Sequence, residues 1–512
     1  MVNPWLIAIS VMLATFMEVI DTSIASVALP HIAGSLSATT DEATWVLTSY
    51  LVANAIILPA SGWFALRFGR KRFLIACIVI FTASSFMCGA ATSLGMILIA
   101  RAVQGAGGGA LQPLSQAILL ESFPPQKRGL AMAVFGLGVV VAPVLGPTLG
   151  GWLTDQYSWR WAFYINIPIG VLAVFMLSRF VTDPPYIRDA KPGKIDAIGF
   201  GLLGISLACL QIILDKGQEE DWFGAVWIRW MTVIMIATLI GFLLRELKIV
   251  APLVNLRVFR DRNFAIGCLL IGLFGGVIYG VITLLPLFYQ TLLGYTALAA
   301  GIAVSPRGIG AIMIMPVIGV LTGRLDNRLL IITGFVVFGL TSVWIGNLTL
   351  EISPTSELWP IVISGAGTGM VFVPLATITM GTLKNEQIGN ASGLFNLMRN
   401  VGGGIGISMV NTLVARHQQI HRAELVQNLV PTNPAFQQTF DATRGVMSQY
   451  AGPVVAGQRA YGLIQGTLGQ QSAAYSYVDV FRYLALACFV CAAIVIFMKR
   501  VRARKGAPAM AH

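Results

Sequence analysis

About twenty consecutive apolar residues carry a helix across the hydrocarbon core of a bilayer, and this chain of 512 residues repeats such a run along nearly its whole length. Apolar residues make up 56% of it and charged residues only 11%, where an ordinary soluble domain carries about 25% charge. A water-soluble core cannot use that much apolar surface. The predicted fold class is therefore an all-α polytopic membrane protein. Fourteen spans are expected, at about 6–29, 44–66, 73–93, 96–119, 130–153, 161–181, 196–215, 226–248, 264–289, 297–322, 329–349, 358–382, 390–415 and 478–499. The first is too long for a cleaved secretory signal and lacks a basic leader, so it is expected to stay in the protein.

That first span also holds two acids, Glu18 and Asp21, three residues apart and so on one side of a helix. A charged side chain at the bilayer centre costs about 2.5–3.5 kcal/mol even on the mildest scale, so such residues face a cavity or a partner and serve ions or substrate.

Lysine and arginine orient the spans, because short cytoplasmic loops are enriched in them. The loops that follow even-numbered spans, with the C-terminus, hold 23 of the 34 basic residues, and the opposite loops hold 8. Both termini are thus expected in the cytoplasm. The net charge of +12 is accounted for by this topology and by anionic headgroups, so no nucleic-acid partner is called for. The six cysteines, Cys77, Cys88, Cys209, Cys268, Cys488 and Cys491, all lie in apolar spans as small packing residues, and no metal or redox role is assigned to the Cys488-x-x-Cys491 spacing.

An internal repeat appears at a shift of about 260 residues. Gln104-Gly105-Ala106-Gly107-Gly108-Gly109 in span 4 answers Ser364-Gly365-Ala366-Gly367-Thr368-Gly369 in span 12. Ala28-Leu29-Pro30 matches Leu284-Leu285-Pro286, and Gly62 with Arg67 matches Gly319 with Arg324. The expected organisation is an N-terminal six-helix half (1–189), two inserted helices (190–255) and a C-terminal six-helix half (256–512). The last contains a polar external stretch, 416–477, that reads as a surface loop or as a docking surface for an external protein.

Two parallel six-helix halves around a midplane site resemble the architecture of the major facilitator superfamily of secondary transporters, and four motifs carry that resemblance. Gly62-Trp63-Phe64-Ala65-Leu66-Arg67-Phe68-Gly69-Arg70-Lys71-Arg72 resembles the superfamily's loop signature between spans 2 and 3. The resemblance implies a cytoplasmic gating role for Gly62, Arg67, Gly69, Arg70 and Lys71, although Leu66 stands where the family has Asp. Arg101-Ala102-Val103-Gln104-Gly105 resembles a span 4 signature associated with proton transfer. Ala142-Pro143-Val144-Leu145-Gly146-Pro147-Thr148-Leu149-Gly150-Gly151 resembles the antiporter signature of drug exporters, which assigns Pro143, Gly146, Pro147, Gly150 and Gly151 and points to export. Ile20-Asp21-Thr22-Ser23-Ile24-Ala25-Ser26-Val27-Ala28-Leu29-Pro30 resembles the first span of the fourteen-span drug:proton antiporters. Within that group the detail is similar to the EmrB type, the inner-membrane pumps of tripartite exporters. Glu18 is not part of that pattern.

The resemblance implies a proton-coupled exporter of hydrophobic small molecules in a bacterial inner membrane, with a periplasmic adaptor of the EmrA type and an outer-membrane channel as partners. It needs no cofactor, being driven by the proton gradient. Arg101 lies about five residues and Asp21 about eight from the external ends of their spans, a difference in depth of only about 5 Å, so a pairing is expected. Asp21, Glu18 and Arg101 are the candidate proton-coupling residues. Arg307, Arg399, Asn396 and Gln104 are the candidate substrate-cavity residues. Three interior arginines against two acids fit neutral or weakly acidic substrates better than dications, although Arg307 and Arg399 could instead tie helices to carbonyls.

Other classes find little support. Gly107-Gly108-Gly109 and Gly402-Gly403-Gly404 lack the Lys-Ser/Thr and strand context of a phosphate loop. His417, His421 and Glu424 have a spacing that metal ligands can use, but on a Gln-rich polar helix they read as a solvated face. No cytoplasmic loop is long enough for a signalling domain or holds a nucleophile with a base. An exporter of one dedicated metabolite, such as a lipid or siderophore, is the alternative with the same mechanics.

Overall fold

The computed structural model describes residues 3–188, 193, 195–249, 252–347, 349–353, 356–450 and 452–500. They form α1 (Pro4–Ser35), α2 (Glu42–Phe68), α3 (Arg70–Gly89), α4 (Leu94–Ser122), α5 (Pro125–Gln156), α6 (Trp161–Phe180), α7 (Ala197–Lys216), α8 (Val226–Lys248), α9 (Arg262–Thr291), α10 (Leu298–Leu321), α11 (Asn327–Ile345) and α12 (Leu358–Met380). Then come α13 (Asn385–Val426), α14 (Pro434–Ser448) and α15 (Val454–Val495). Among the described residues 13 helices, all of these but α13 and α14, are long and apolar enough to cross a membrane. The chain is a multi-pass membrane protein. Helix α13 falls short because its first half carries Asn390, Asn396, Arg399, Asn400 and Gly402-Gly403-Gly404, and its second half runs on into polar sequence.

Local chemistry sets the ends. Thr39 and Glu42 form a capping box at the start of α2, with Thr39 N–H on Glu42 Oε2 at 2.8 Å and Glu42 N–H on Thr39 Oγ1 at 3.2 Å. Asp261 caps α9 through the Phe264 N–H (2.9 Å), and Asp196 caps α7 through the Gly199 N–H (3.0 Å). Asp196 also takes the Arg245 guanidinium, and that hydrogen bonding holds its carboxyl below the usual range. Between α2 and α3 the chain turns on one residue, Gly69 at φ +85°, a conformation that a side chain would strain.

The packing pattern occurs twice. Among α1–α6, α1 packs on α5 and α6, α2 on α4, and α3 on α4 and α6; in the later chain, α9 packs on α13 and α15, α10 on α12, and α11 on α12 and α15. The repeated glycines do the same work in each set. A Cβ on Gly105 would strike the Tyr50 carbonyl of α2 and one on Gly365 the Arg307 carbonyl of α10, so only glycine admits the backbone approach. The sets meet where α5 lies on α10 and α12, and where α13 lies on α2 and α4. Helix α7 covers the α2–α13 seam, and α8 lies outside it with Trp230, Val233 and Ile236 exposed.

Residues 416–477, expected as a surface loop, are largely helical: α13 continues to Val426, α14 folds back onto α15, and α15 begins at Val454. Aromatic packing explains the order, with Phe440 4.4 Å and Phe436 6.2 Å from the Tyr461 ring. The boundary expected between residues 189 and 190 lies outside the described residues.

Candidate proton and substrate sites

Asp21 is fully buried in α1 and is held by three donors. Arg101 Nη1 of α4 reaches its Oδ2 at 2.6 Å, while Gln104 Nε2 (2.8 Å) and Asn166 Nδ2 of α6 (2.6 Å) reach its Oδ1. Arg101 also donates from Nε to the Val46 carbonyl (3.0 Å) and from Nη1 to Gln104 Oε1 (2.7 Å). Its guanidinium lies over the Tyr50 ring at 4.3 Å and the Phe163 ring at 5.6 Å. Ser85 Oγ accepts from Gln104 (2.6 Å) and Asn166 (3.2 Å). Ile20, Ile24, Val46, Ile97, Ala100 and Phe163 form the apolar shell around this cluster. Arg101 and Asp21 are thus each other's charge partner inside this cluster, with no exposed surface on either side chain. Gln104, expected as a cavity residue, belongs to this cluster instead: it sits three residues after Arg101, on the same side of α4, and has no exposed surface.

Glu18 has other surroundings. Its Oε1 accepts from Asn54 Nδ2 at 3.0 Å, and its Oε2 has no partner among the described residues. It lines a polar cavity of about 300 Å³ that runs along the α2–α13 seam past Tyr50, Asn54, Gln112 and Asn400 to Gln218 and Asn411. Helix α7 lines that cavity with Gln211 and Asp215, whose carboxylate accepts from the Thr48 hydroxyl of α2.

The basic residues of α10 and α13 occupy a second, apolar cavity, which shares Tyr279 with the first. Arg307 and Arg399 line it beside Val139, Pro143, Ile271, Phe274 and Phe372. Arg399 Nη2 donates to Gln112 Oε1 of α4 and to Asn400 Oδ1 (3.2 Å). Among the described residues, Nε and Nη1 of Arg399 and Nε and Nη2 of Arg307 have no acceptor. Asn396, also expected in the cavity, is fully buried one turn earlier and donates to Gln116 Oε1 at 2.7 Å. It ties α13 to α4 rather than facing open space.

In α5, Pro147 has no N–H to give the Pro143 carbonyl one turn back. Ser23 of α1 supplies a donor instead, at 3.1 Å. Gly146 and Gly150 face Ser23 and Ile24 of α1, and Gly151 faces Leu298 of α10. The Pro-Gly run thus lies between the acid-bearing helix and α10.

At the end of the bundle that carries the Gly62–Arg72 segment, Arg70 makes a two-pronged pair with Glu121, 3.0 Å in each arm, and the Tyr186 hydroxyl joins both. Burial pushes the Tyr186 phenol up. Lys71 donates its N–H to Asp183 (2.8 Å) and its Nζ to the Ser178 carbonyl (2.6 Å). Gly62 lies against the Gly389–Asn390 backbone, and Asn390 exchanges hydrogen bonds with the Asn255 backbone at 3.0 and 3.1 Å. Arg67 is exposed.

The family described as Major Facilitator Superfamily matches residues 11–407. The chain belongs to the major facilitator superfamily. Multidrug export protein EmrB of Escherichia coli (strain K12) is 37% identical over 509 residues, 99% of this chain and 98% of that one. Fatty acid resistance protein FarB of Neisseria gonorrhoeae is 38% identical over 465 residues, 91% of this chain and 90% of that one. The crystal structure of the human organic anion transporter MFSD10 (TETRAN) superposes with a TM-score of 0.58 at 13% identity, covering 95% of this chain and all of that one; this likeness bears on the fold alone. As a major facilitator with close homology to EmrB-type pumps, the chain is a transporter and not an enzyme.

Sequence reasoning missed several members of this facilitator's polar interior: Asn166, Ser85, Asn54, Gln112, Gln116 and Asp215. A signal was present for most, since an amide inside an apolar span is costly unless paired. Gln112 and Gln116 are also one helical turn apart, the spacing that presents two groups to one neighbouring helix.

Proposed function

We propose that the chain is a proton-coupled antiporter that exports hydrophobic, neutral or weakly acidic compounds across a bacterial inner membrane. The observation that carries this is the pair of arginines, Arg307 and Arg399, which line an apolar cavity and keep buried N–H groups without an acceptor among the described residues, while the buried carboxylate lies in a separate cluster on α1. The cavity holds about 40 Å³ in this state and must widen to take a substrate; a weak acid that sheds its proton on entry would then give those donors an acceptor and set its body against the apolar walls. The names of the relatives, one a multidrug exporter and one a fatty acid resistance protein, agree with such a substrate class. The second of these names also supports the narrower reading, an exporter dedicated to one lipid-like acid.

Asp21 carries the proton in this proposal. It is released from Arg101 when the bundle opens to the acidic side, binds a proton, and gives it up when the Arg101 clamp re-forms. One charge crossing 100 mV supplies about 2.3 kcal/mol, roughly a fifty-fold gradient. Glu18, beside the polar cavity, is the second candidate proton site.

The proposal includes fourteen spans in two six-helix halves with α7 and α8 inserted. The repeated pairing of helices supports it, with α13 as the fourteenth span. Both termini are placed in the cytoplasm by the distribution of lysine and arginine, so the Arg70–Glu121 cluster is the cytoplasmic gate and the α13–α15 extension is periplasmic. An adaptor of the EmrA type and an outer-membrane channel complete the pump.

The test is substrate-induced proton release from the purified protein in weak buffer, with a neutral hydrophobic compound that carries no titratable group. Release that saturates with the compound is expected. Saturable binding without release would overturn proton coupling.

A further inference from the structure

His417 and His421 lie one turn apart on the later part of α13, and α15 brings Asp479 against both. His421 Nε2 is 2.7 Å and His417 Nδ1 3.3 Å from the same carboxylate oxygen, Oδ2. The three ligand atoms lie within 4.8 Å of one another. Donors on a tetrahedral Zn²⁺ stand roughly 3.3 Å apart, so small side-chain rotations bring these three onto one cation. Glu424 Oε2 stands 3.6 Å from His421 Nδ1, the nitrogen that faces away from Asp479. A slight turn lets it accept that N–H, the outer carboxylate that commonly orients a metal-bound imidazole. The Tyr483 ring, 5.4 Å from the His417 ring, and the Tyr475 ring, 5.7 Å from that of His421, wall the cluster, which is half-buried rather than open to solvent.

We propose that His417, His421 and Asp479 form a binding site for a divalent transition metal of the zinc class, at the root of the helical extension. Two imidazoles and a carboxylate are a donor set that zinc accepts with water in the fourth position. The sequence reading took His417, His421 and Glu424 as a solvated face; Glu424 is indeed largely exposed, and the carboxylate that both imidazoles meet is Asp479, 58 residues from His421. The metal joins α13 to α15 where both leave the apolar part of the bundle, and so fixes the direction of the extension. Arg482, 3.7 Å from Asp479 Oδ1, is the nearby positive charge, and it pairs with the oxygen that the histidines do not use.

The experiment is a titration of tag-free, full-length, detergent-purified protein with Zn²⁺ against a chromophoric chelator at neutral pH. One equivalent per chain is expected. Binding should be lost in His417→Ala/His421→Ala and in Asp479→Asn, kept in His31→Ala, and kept but weakened in Glu424→Gln. Zn²⁺ should raise the melting temperature of the wild type and leave that of the double variant unchanged. Binding should also fade toward pH 5, because protons compete for the imidazoles. Absence of stoichiometric binding in the wild type, or undiminished binding in a double histidine variant that still runs as a monodisperse protein, would overturn the assignment. Neither result bears on proton-coupled export, which uses other residues.

Discussion

Ser23 gives its hydroxyl to the carbonyl oxygen of Pro143, 3.1 Å away across the α1–α5 contact. The carbonyl is free because Pro147, one turn on, has no N–H. A proline that loosens its own helix is thereby bonded to the helix that carries Asp21, two residues before Ser23. One hydroxyl therefore links the proline-bearing stretch of α5 to the helix of the acid.

Ser23→Ala should therefore cost about 1 kcal/mol of stability, the typical worth of such a bond, and lower transport without removing substrate binding. Gly146→Ala is the stronger lesion, because its methyl would occupy the place of the Ser23 side chain, and overpacking of this kind costs about 1–3 kcal/mol. Adding Ser23→Gly to Gly146→Ala should restore part of the lost transport. Thermal melting in detergent together with uptake into inverted vesicles checks both expectations, and no restoration in the double variant would count against the contact as the cause.

Asp21→Asn should abolish substrate-induced proton release while substrate still binds. The amide keeps the shape of the group but leaves the Arg101 guanidinium, fully buried, without a counter-charge, and breaking a buried pair from one side costs about 3–5 kcal/mol. A lower melting temperature is thus expected along with the lost proton. Measured proton release in a variant shown to be folded would remove Asp21 from the mechanism.

The spans were legible because bilayer thickness imposes a length that no other feature of a sequence mimics. Azimuth was not legible. Glu18 and Asp21 are three residues apart, which leaves them about 60° apart around the helix, enough to send Asp21 to Arg101 and Asn166 and Glu18 to Asn54 at the α2–α13 seam. Gln104 and Asn396 were expected in a cavity; which way each faces depends on neighbours that a single sequence does not reveal. The extension was misread for a related reason: its Gln, Ala and Gly content looks like a loop, and its order comes from Phe436 and Phe440 meeting Tyr461 across the turn.

Glu357, at the start of α12, gives a pH dependence with a definite sign. Burial raises its carboxyl from 4.5 to about 7, so the fold favours the protonated form more than the unfolded chain does. Stability is retained below pH 4.5 and declines as pH rises toward and through about 7. Melting temperature recorded from pH 4 to 8 should fall across that window in the wild type and fall less in Glu357→Gln. An unchanged slope in the variant would show that another group is responsible.

Arg399→Ala separates the two roles open to this arginine. It is bonded to Gln112 of α4 and so joins α13 to α4, but its Nε and Nη1 have no acceptor among the described residues and it lines the apolar cavity. If those free donors receive a carboxylate, the variant should lose export of hydrophobic acids while export of cations of similar size persists. If the residue serves only as a tie between helices, both classes should fall together, as they should in Asn396→Ala, which removes the neighbouring tie to Gln116 without touching the free donors. Lysine at 399 keeps the charge but not the fork that receives a carboxylate in two arms, so Arg399→Lys should recover acid export only in part. Measuring all three variants with one acidic and one cationic substrate assigns Arg399 to the cargo or to the frame.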